Sequence, residues 1–179
     1  MKILDIGCGK NKYRSKRSND IVIGIDSVKL PGVDKVVNLE KFPWPFKKDE
    51  FDIVVSNHVL EHLSDLIRTM EEIHRISKPG AIVRANIPYF ASSGAFQDPT
   101  HKRFFTYRTF EYFTEESGFN FYTKARFKIN KRKMTFMVTR PNISKMFDPF
   151  MNYFPRFYER FFSRILPAEQ LFVELVVLK

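Results

Sequence analysis

The sequence predicts an α/β fold built on a mostly parallel sheet, and three observations lead to it. Short runs rich in Ile and Val alternate with turns and a helical pattern through residues 1–88, as in parallel sheets. The first run ends in a glycine-rich turn. From residue 89 the chain is richer in Phe, Tyr, Lys and Arg and less regular. We expect a single domain over residues 1–179, since this length suits one core.

The first half of the chain contains the predicted parallel strands. They cover residues 2–6, 21–25, 35–38, 51–55 and 81–87. The first strand begins at the second residue, so no helix precedes it in the sequence. The basic stretch 10–19 lacks apolar periodicity, so we expect no long helix there. The segment 42–46 is predicted to be an aromatic loop, because its two prolines cannot donate backbone hydrogen bonds.

One helix of the first half is well marked. Apolar residues recur at helical spacing through residues 64–77, which predicts an amphipathic helix. Ser64 and Asp65 suit its start, and Lys78–Pro79–Gly80 is expected to end it before the fifth strand.

The second half is expected to complete the sheet and to carry a Phe-rich helical insertion near the C-terminus. A helix ending at Gly118 is predicted first. A second helix is predicted where six apolar residues fall on one face and arginines on the other. The predicted elements are a helix at 106–117, strands at 119–127 and 133–138, a helix at 155–165 and a strand at 171–178.

Composition limits the function classes. The net charge of +10 favours anionic partners, such as nucleic acid or an anionic membrane surface, although a solvated basic surface explains it equally well. Cys8 is the only cysteine, so no internal disulfide can form, which fits a reducing compartment. No signal peptide or membrane-spanning run is evident, and we expect a cytoplasmic protein with at most peripheral membrane contact.

The turn after the first strand contains the residues that predict a ligand site. Gly7–Cys8–Gly9 follows this strand, and Asp26 ends the second strand. Glycines after a strand let a ligand approach the backbone, and an acid at that position can accept hydrogen bonds from two ribose hydroxyls. The third glycine of the dinucleotide motif is missing, because Lys12 stands there. A ligand with a ribose but no pyrophosphate is therefore favoured.

Five segments in this order resemble the motifs of the class I S-adenosylmethionine-dependent methyltransferases, especially the small type 11 proteins. They are Leu4–Gly9, Gly24–Asp26, Phe51–Ser56, Val59–His62 and Lys78–Gly80. The resemblance implies a Rossmann-like sheet, S-adenosylmethionine as cofactor and methyl transfer as the activity. It places the cofactor in residues 1–88, and leaves the acceptor site and the completion of the sheet to residues 89–179.

The resemblance also implies a set of cofactor contacts. The methionine and ribose part would lie against the first turn, the ribose hydroxyls against the end of the second strand, and the adenine beyond it. The loop after the fourth strand would lie beneath the methionine. The implied residues are Asp5, Gly7, Cys8, Gly9, Asp26, Ser27, Val28, Asn38, Leu39, Ser56, Asn57 and His58.

His58–Val59–Leu60–Glu61–His62 reads as H-x-x-E-H, an inverted zinc-protease motif. The segment directly follows a central strand in a methyltransferase pattern, and no third metal ligand is evident from the sequence. We therefore expect no metal here. Glu61 and His62 are interpreted as residues that anchor the following segment.

The loop after the fifth strand is the predicted acceptor site, because open parallel sheets bind ligands beyond the carboxyl ends of their strands. His101 is the candidate general base, since an imidazole can take a proton from a hydroxyl or amine. The alternative is that Asp98 and His101 only fix the loop. The other candidates for acceptor contact are Tyr89, Asp98, Arg103 and Tyr107. The 141–167 segment is expected to complete this site or, alternatively, to fill the core.

Several functions remain compatible with the sequence. A small-molecule, glycan-linked or lipid-linked acceptor is favoured. RNA methylation and a non-catalytic S-adenosylmethionine-binding protein are the alternatives. RNA is disfavoured because Ser56–Val59 stands where base methyltransferases carry an Asn-Pro-Pro-Tyr type motif, and no appended RNA-binding module is seen. An oligomer is not excluded.

Overall fold

The computed structural model describes residues 1–119 and 121–179. It contains seven strands in one sheet and four α-helices. In chain order these are β1 (Lys2–Ile6), β2 (Ile21–Asp26), β3 (Lys35–Val36), β4 (Phe51–Asn57), α1 (Leu66–Ile76), β5 (Ser77–Pro88), α2 (Gly94–Gln97), β6 (Arg126–Thr135), α3 (Pro141–Tyr153), α4 (Pro155–Phe161) and β7 (Gln170–Leu178). Two 3₁₀ turns cover Leu60–His62 and Thr109–Phe113.

The strand order is β3-β2-β1-β4-β5-β7-β6. The first five strands are parallel, and β7 runs antiparallel to both β5 and β6. Because Ile6 pairs with Ile25 on one side and Ser56 on the other, β1, β2 and β4 end at one level. The residues that follow these three strands therefore meet at one edge of the sheet.

The central strands are buried because they are covered on both faces. Leu4, Ile6 and Ile25 are fully buried, as apolar runs of a parallel sheet should be. Helix α1 packs Met70, Ile73 and Ile76 into the same core, and its first turn is capped by the Asp65 side chain. The predicted amphipathic helix is thus confirmed with slightly shorter bounds.

The aromatic loop around Trp44 belongs to this core. Its ring is buried, the Trp44 N–H donates to Glu72 Oε1 at 2.6 Å, and its indole N–H donates to the Leu39 carbonyl at 3.2 Å. The backbone N–H of Trp44 has no partner in the sheet, and the Glu72 side chain of α1 accepts its hydrogen bond instead.

The predicted turn at Lys78–Gly80 lies within β5 as an irregularity. Phe51 pairs with Ser77 and Ile53 with Ile82, so the residues between Ser77 and Ile82 bulge out of the ladder. Gly80 has a φ of 74°, which a glycine adopts without strain.

The second half differs from the prediction in three elements. The helix predicted at 106–117 is only the 3₁₀ turn Thr109–Phe113, because threonine hydroxyls take part in the local hydrogen bonding. The Thr106 N–H donates to Thr109 Oγ1 at 2.9 Å, and the Arg108 N–H to Thr106 Oγ1 at 3.2 Å. In place of the two strands predicted at 119–127 and 133–138 the structure has one, β6 (Arg126–Thr135). Residues 121–125 form no strand, and residue 120 lies outside the described residues.

The Phe-rich insertion is helical, as predicted, and consists of α3 and α4 between β6 and β7. Met151 and Tyr158 are buried in the core. The helix predicted at 155–165 ends at Phe161. None of the helices in residues 1–119 and 121–179 has the length and apolarity needed to cross a bilayer.

Candidate functional site

The turn after β1 is shaped by two glycines. Gly7 and Gly9 have φ values of 63° and 53°, in the left-handed region that disfavours other residues. A Cβ on Gly7 would lie 2.3 Å from Val59 Cγ2, so the turn packs directly against the segment after β4. Among the described residues, a Cβ on Gly9 would meet no atom within 4 Å. The backbone at Gly9 is thus open to a ligand.

Asp26 connects this turn with the end of β2. Its Oδ2 accepts the Gly9 N–H at 3.0 Å, and its Oδ1 accepts the Val28 N–H at 3.1 Å. A carboxylate oxygen can accept more than one hydrogen bond. Asp26 can therefore hold the turn and still accept two ribose hydroxyls.

Asp5 is a buried carboxyl at the end of β1. Burial raises its pKa to about 6, although the Tyr13 N–H donates to its Oδ2 at 2.7 Å and favours the ionised form. A cationic ligand nearby would stabilise the carboxylate, which suits a cofactor that carries positive charge. The neighbouring Cys8 is buried, and burial raises the pKa of its thiol to about 11. Cys8 is therefore a protonated packing residue at neutral pH.

The residues predicted for the adenine lie beyond β2. Ser27 and Val28 are exposed. Asn38 is exposed too, and its Oδ1 accepts the Glu40 N–H at 2.9 Å. Leu39 is buried. This arrangement offers a polar side chain and an apolar wall beside the acid of β2.

The end of β4 brings three of the predicted residues to the same edge. The Ser56 hydroxyl is buried without a hydrogen-bond partner in the described structure. Asn57 accepts a hydrogen bond from the Asn86 side chain at 2.7 Å. His58 has a φ of 54°, and its N–H donates to the Asn86 carbonyl at 2.9 Å. An unpartnered buried hydroxyl beside the glycine turn is consistent with a ligand that would bond it.

An open cleft of about 780 Å³ adjoins this edge. It lies where β4 and β5 end, and the loop after β5 forms one wall. The lining residues are His58, Glu61, His62, Pro88, Ser92, Ser93, Gly94, Gln97, Asp98, Pro99, His101, Val138, Glu169 and Gln170. A larger cleft of about 1190 Å³ lies against β6 and includes none of the predicted cofactor contacts. The smaller cleft is therefore the better candidate for the ligand site, because His58, Asp98 and His101 of the predicted site residues line it.

The structure brings Glu61, His62 and His101 together in the cleft wall. Each offers a ligand atom within 4.8 Å of the other two, and the two imidazole rings lie 4.7 Å apart, edge to face. No third metal ligand was evident from the sequence. The loop after β5 brings His101 next to Glu61 and His62, because the Lys102 and Arg103 N–H groups donate to the Glu61 carbonyl at 2.8 and 3.0 Å.

The other residues predicted for acceptor contact have different surroundings. Asp98 lines the cleft, whereas Tyr89 is fully buried and its hydroxyl donates to Glu159 at 3.0 Å. Tyr89 is therefore a core residue rather than a rim residue. Arg103 donates to the Ser64 carbonyl, and the Tyr107 ring lies under the Arg132 guanidinium at 4.0 Å. Neither residue lines the cleft.

Gln170 and Glu169 line the cleft but were not predicted from the sequence to be site residues. Gln170 donates to His58 Nε2 at 2.9 Å, and Glu169 lies beside it in the cleft. Gln170 begins the last strand and Glu169 directly precedes it; this strand runs antiparallel beside β5, so its start lies at the carboxyl edge. No residue of 141–167 lines this cleft, so a contribution of that segment to the acceptor site stays a prediction.

Comparisons with known proteins agree with this geometry. A family model described as a methyltransferase domain matches residues 1–124. Cycloartenol-C-24-methyltransferase of Arabidopsis thaliana is 31% identical over 96 residues, which are 44% of this chain and 29% of that protein. The mitochondrial arginine hydroxylase NDUFAF5 of Homo sapiens is 32% identical over 93 residues, 44% of this chain and 26% of that protein. The chain thus spans under a third of these relatives.

Solved structures show the same fold. An S-adenosylmethionine-dependent methyltransferase from Aquifex aeolicus superimposes with a TM-score of 0.61 at 14% identity, covering 99% of this chain and 82% of that one. The predicted Rossmann-like fold and S-adenosylmethionine as the cofactor are confirmed. Since the family model matches more than half of the chain, the protein belongs to the S-adenosylmethionine-dependent methyltransferase family.

Proposed function

We propose that the protein transfers the methyl group of S-adenosylmethionine to an acceptor bound in the cleft, and that the acceptor is a small molecule or a glycan- or lipid-linked intermediate. The observation that carries this proposal is the open cleft at the carboxyl ends of β4 and β5, lined by imidazoles and carboxyl groups. Ligand sites of open α/β sheets lie at this edge.

The chain's own residues would hold the two reactants in line. Asp26 would accept the ribose hydroxyls, Gly9 would let the cofactor approach the backbone, and Asp5 would face its positive charge. S-adenosylmethionine supplies an electrophilic methyl group and its own leaving group. The protein mainly aligns the acceptor and excludes water.

His101 is the candidate proton acceptor. Its Nδ1 lies 2.9 Å from the Ala95 carbonyl, which accepts only, so Nδ1 carries hydrogen and Nε2 is the basic nitrogen. His101 lines the cleft, so Nε2 can receive the proton of an acceptor hydroxyl or amine.

A surface on the helical insertion favours a lipid-linked acceptor over a free metabolite. We call it the aromatic surface, and it consists of exposed Met146, Phe150, Tyr153, Phe154, Phe157, Phe161 and Ile165. Arg156, Arg160 and Arg164 are exposed on the same insertion. Aromatic and basic residues side by side suit the boundary of an anionic membrane.

The methyl acceptor can be identified by following the label. The purified protein is incubated with methyl-labelled S-adenosylmethionine and three fractions of a cell extract, namely water-soluble metabolites, lipids and RNA. We expect label in the lipid or metabolite fraction, and none with the His101→Ala variant if His101 is the base.

Label confined to RNA would contradict the proposed acceptor class. The human relative is named a hydroxylase, so likeness to a methyltransferase does not by itself fix the reaction. Cofactor binding without label in any fraction would therefore favour the non-catalytic alternative.

Cofactor affinity is expected to rise with pH between about 5 and 7. The pKa of Asp5 is raised to about 6 by burial, so the carboxylate forms across this window and then attracts the cationic cofactor. Calorimetric titration at several pH values measures the effect. The Asp5→Asn variant should bind more weakly and show a flatter profile, and an equal rise in that variant would exclude Asp5 as its origin.

A further inference from the structure

We propose that Glu61, His62 and His101 bind a divalent transition-metal ion, of which Zn²⁺ is the natural probe, in the wall of the cleft. The three candidate ligand atoms lie within 4.8 Å of one another. All three residues line the cleft of about 780 Å³.

The Glu61 carboxylate is the first observation. Its residue is 1% exposed, and neither Oε1 nor Oε2 has a hydrogen-bond partner in the described structure. His58 Nδ1 lies 3.3 Å from Oε1 but does not form a hydrogen bond with it. A buried carboxylate that accepts no hydrogen bond and has only the His58 ring beside it is costly, and a cation between this group and the imidazoles of His62 and His101 would satisfy it.

The hydrogen bonds of the two histidines are the second observation. The Thr100 hydroxyl donates to Asp98 Oδ1 at 2.7 Å, so its oxygen is left to accept from His62 Nδ1 at 2.8 Å. His101 Nδ1 lies against the Ala95 carbonyl oxygen at 2.9 Å, which also accepts. Both rings therefore carry hydrogen on Nδ1 and leave the Nε2 lone pair free when neutral. Metal-binding histidines are oriented by such bonds from the other ring nitrogen.

The loop that carries His101 is fixed to the residue that supplies the carboxylate. The Lys102 and Arg103 N–H groups both donate to the Glu61 carbonyl. Metal–ligand distances of about 2.1 Å place tetrahedral ligand atoms roughly 3.4 Å apart. The candidate ligand atoms, which lie within 4.8 Å of one another, therefore have to approach by up to about 1.4 Å when an ion binds.

The ligand set indicates the class of ion. Two imidazole nitrogens and one carboxylate oxygen suit Zn²⁺ and its first-row neighbours, whereas Mg²⁺ and Ca²⁺ prefer oxygen ligands. Asp98 Oδ2 lies 4.0 Å from His101 Nε2, so its negative charge would stabilise an ion bound there. Three protein ligands leave coordination positions open toward the cleft, where an acceptor oxygen can bind.

The site stands independently of methyl transfer. If the proposed function holds, the ion occupies His101 Nε2, and its charge rather than the imidazole then lowers the pKa of a bound acceptor hydroxyl. Metal binding is therefore measured without cofactor or acceptor, so its failure and that of the proposed function can be told apart.

The experiment titrates ZnCl₂ into the metal-free full chain by calorimetry and records the visible spectrum with CoCl₂. We expect one Zn²⁺ per chain and a cobalt spectrum typical of nitrogen and oxygen ligands. Losing a hydrogen-bond partner of a metal ligand already costs 10–100-fold in affinity, so His62→Ala and His101→Ala should each cost about 100-fold or more.

Two further variants test the carboxylate ligand and provide a control. Glu61→Gln keeps the shape of the buried side chain and should also weaken Zn²⁺ binding. His74→Gln is the matched control, because His74 lies away from the cleft with Nε2 2.6 Å from the Leu178 carbonyl, and it should bind Zn²⁺ as the parent does. Circular dichroism confirms that each variant is folded.

Three outcomes would overturn the proposal. The first is no Zn²⁺ binding by the folded parent chain. The second is equal binding in the parent and in folded His62→Ala and His101→Ala variants. The third is a thiolate-to-cobalt band, which would place the ion at Cys8 instead.

Discussion

The Asp26→Ala variant is expected to bind S-adenosylmethionine about 10- to 150-fold more weakly than the parent. This range corresponds to roughly 1.5–3 kcal/mol, the contribution of a single ribose hydrogen bond to the charged carboxylate. The change also releases the Gly9 and Val28 N–H groups, so the turn loses its support as well as its ligand contact. Calorimetric titration with the cofactor measures the loss.

Asp52→Ala is the matched control for this prediction. Asp52 also accepts a backbone N–H, from Lys2 at 2.7 Å, and contacts Lys78 Nζ at 2.7 Å, but it lies at the amino end of β4, away from the cofactor edge. We expect little change in its cofactor affinity. If both variants weakened binding equally, the effect would be one of general destabilisation, and the role of Asp26 would be excluded.

The cofactor half of the fold could be predicted because its signals are local. Buried parallel strands appear as short Ile- and Val-rich runs, and the turn at Gly7–Gly9 requires residues that tolerate a positive φ. The loop around Trp44 is also signalled locally, because the prolines on both sides of this residue exclude it from strands and helices.

The second half could not be predicted as well, because its structure depends on contacts distant in sequence. The pattern at 106–117 is helical, yet threonine hydroxyls compete for the backbone there. The cluster at Glu61 shows the same limit within the site. His101 joins it only because the loop after β5 is bonded to the Glu61 carbonyl, which no local pattern signals.

The glycines of the turn provide the last prediction, because they share a backbone conformation but differ in their surroundings. Gly7→Ala should destabilise the protein by about 2–5 kcal/mol, since a left-handed residue costs roughly 1–2 kcal/mol and overpacking a further 1–3 kcal/mol. The overpacking arises from Val59, whose Cγ2 would lie 2.3 Å from the new Cβ. Gly9→Ala carries only the backbone cost, about 1–2 kcal/mol, because no atom of the described residues lies within 4 Å of the added Cβ.

Urea unfolding without cofactor measures both free energies, and cofactor titration of the folded variants separates stability from binding. Gly9→Ala should remain folded yet bind S-adenosylmethionine weakly, because its methyl group would occupy the open space that the cofactor needs. Equal stability losses in the two variants would contradict the packing of Gly7 against Val59. Unchanged affinity in Gly9→Ala would show that the cofactor does not approach this turn.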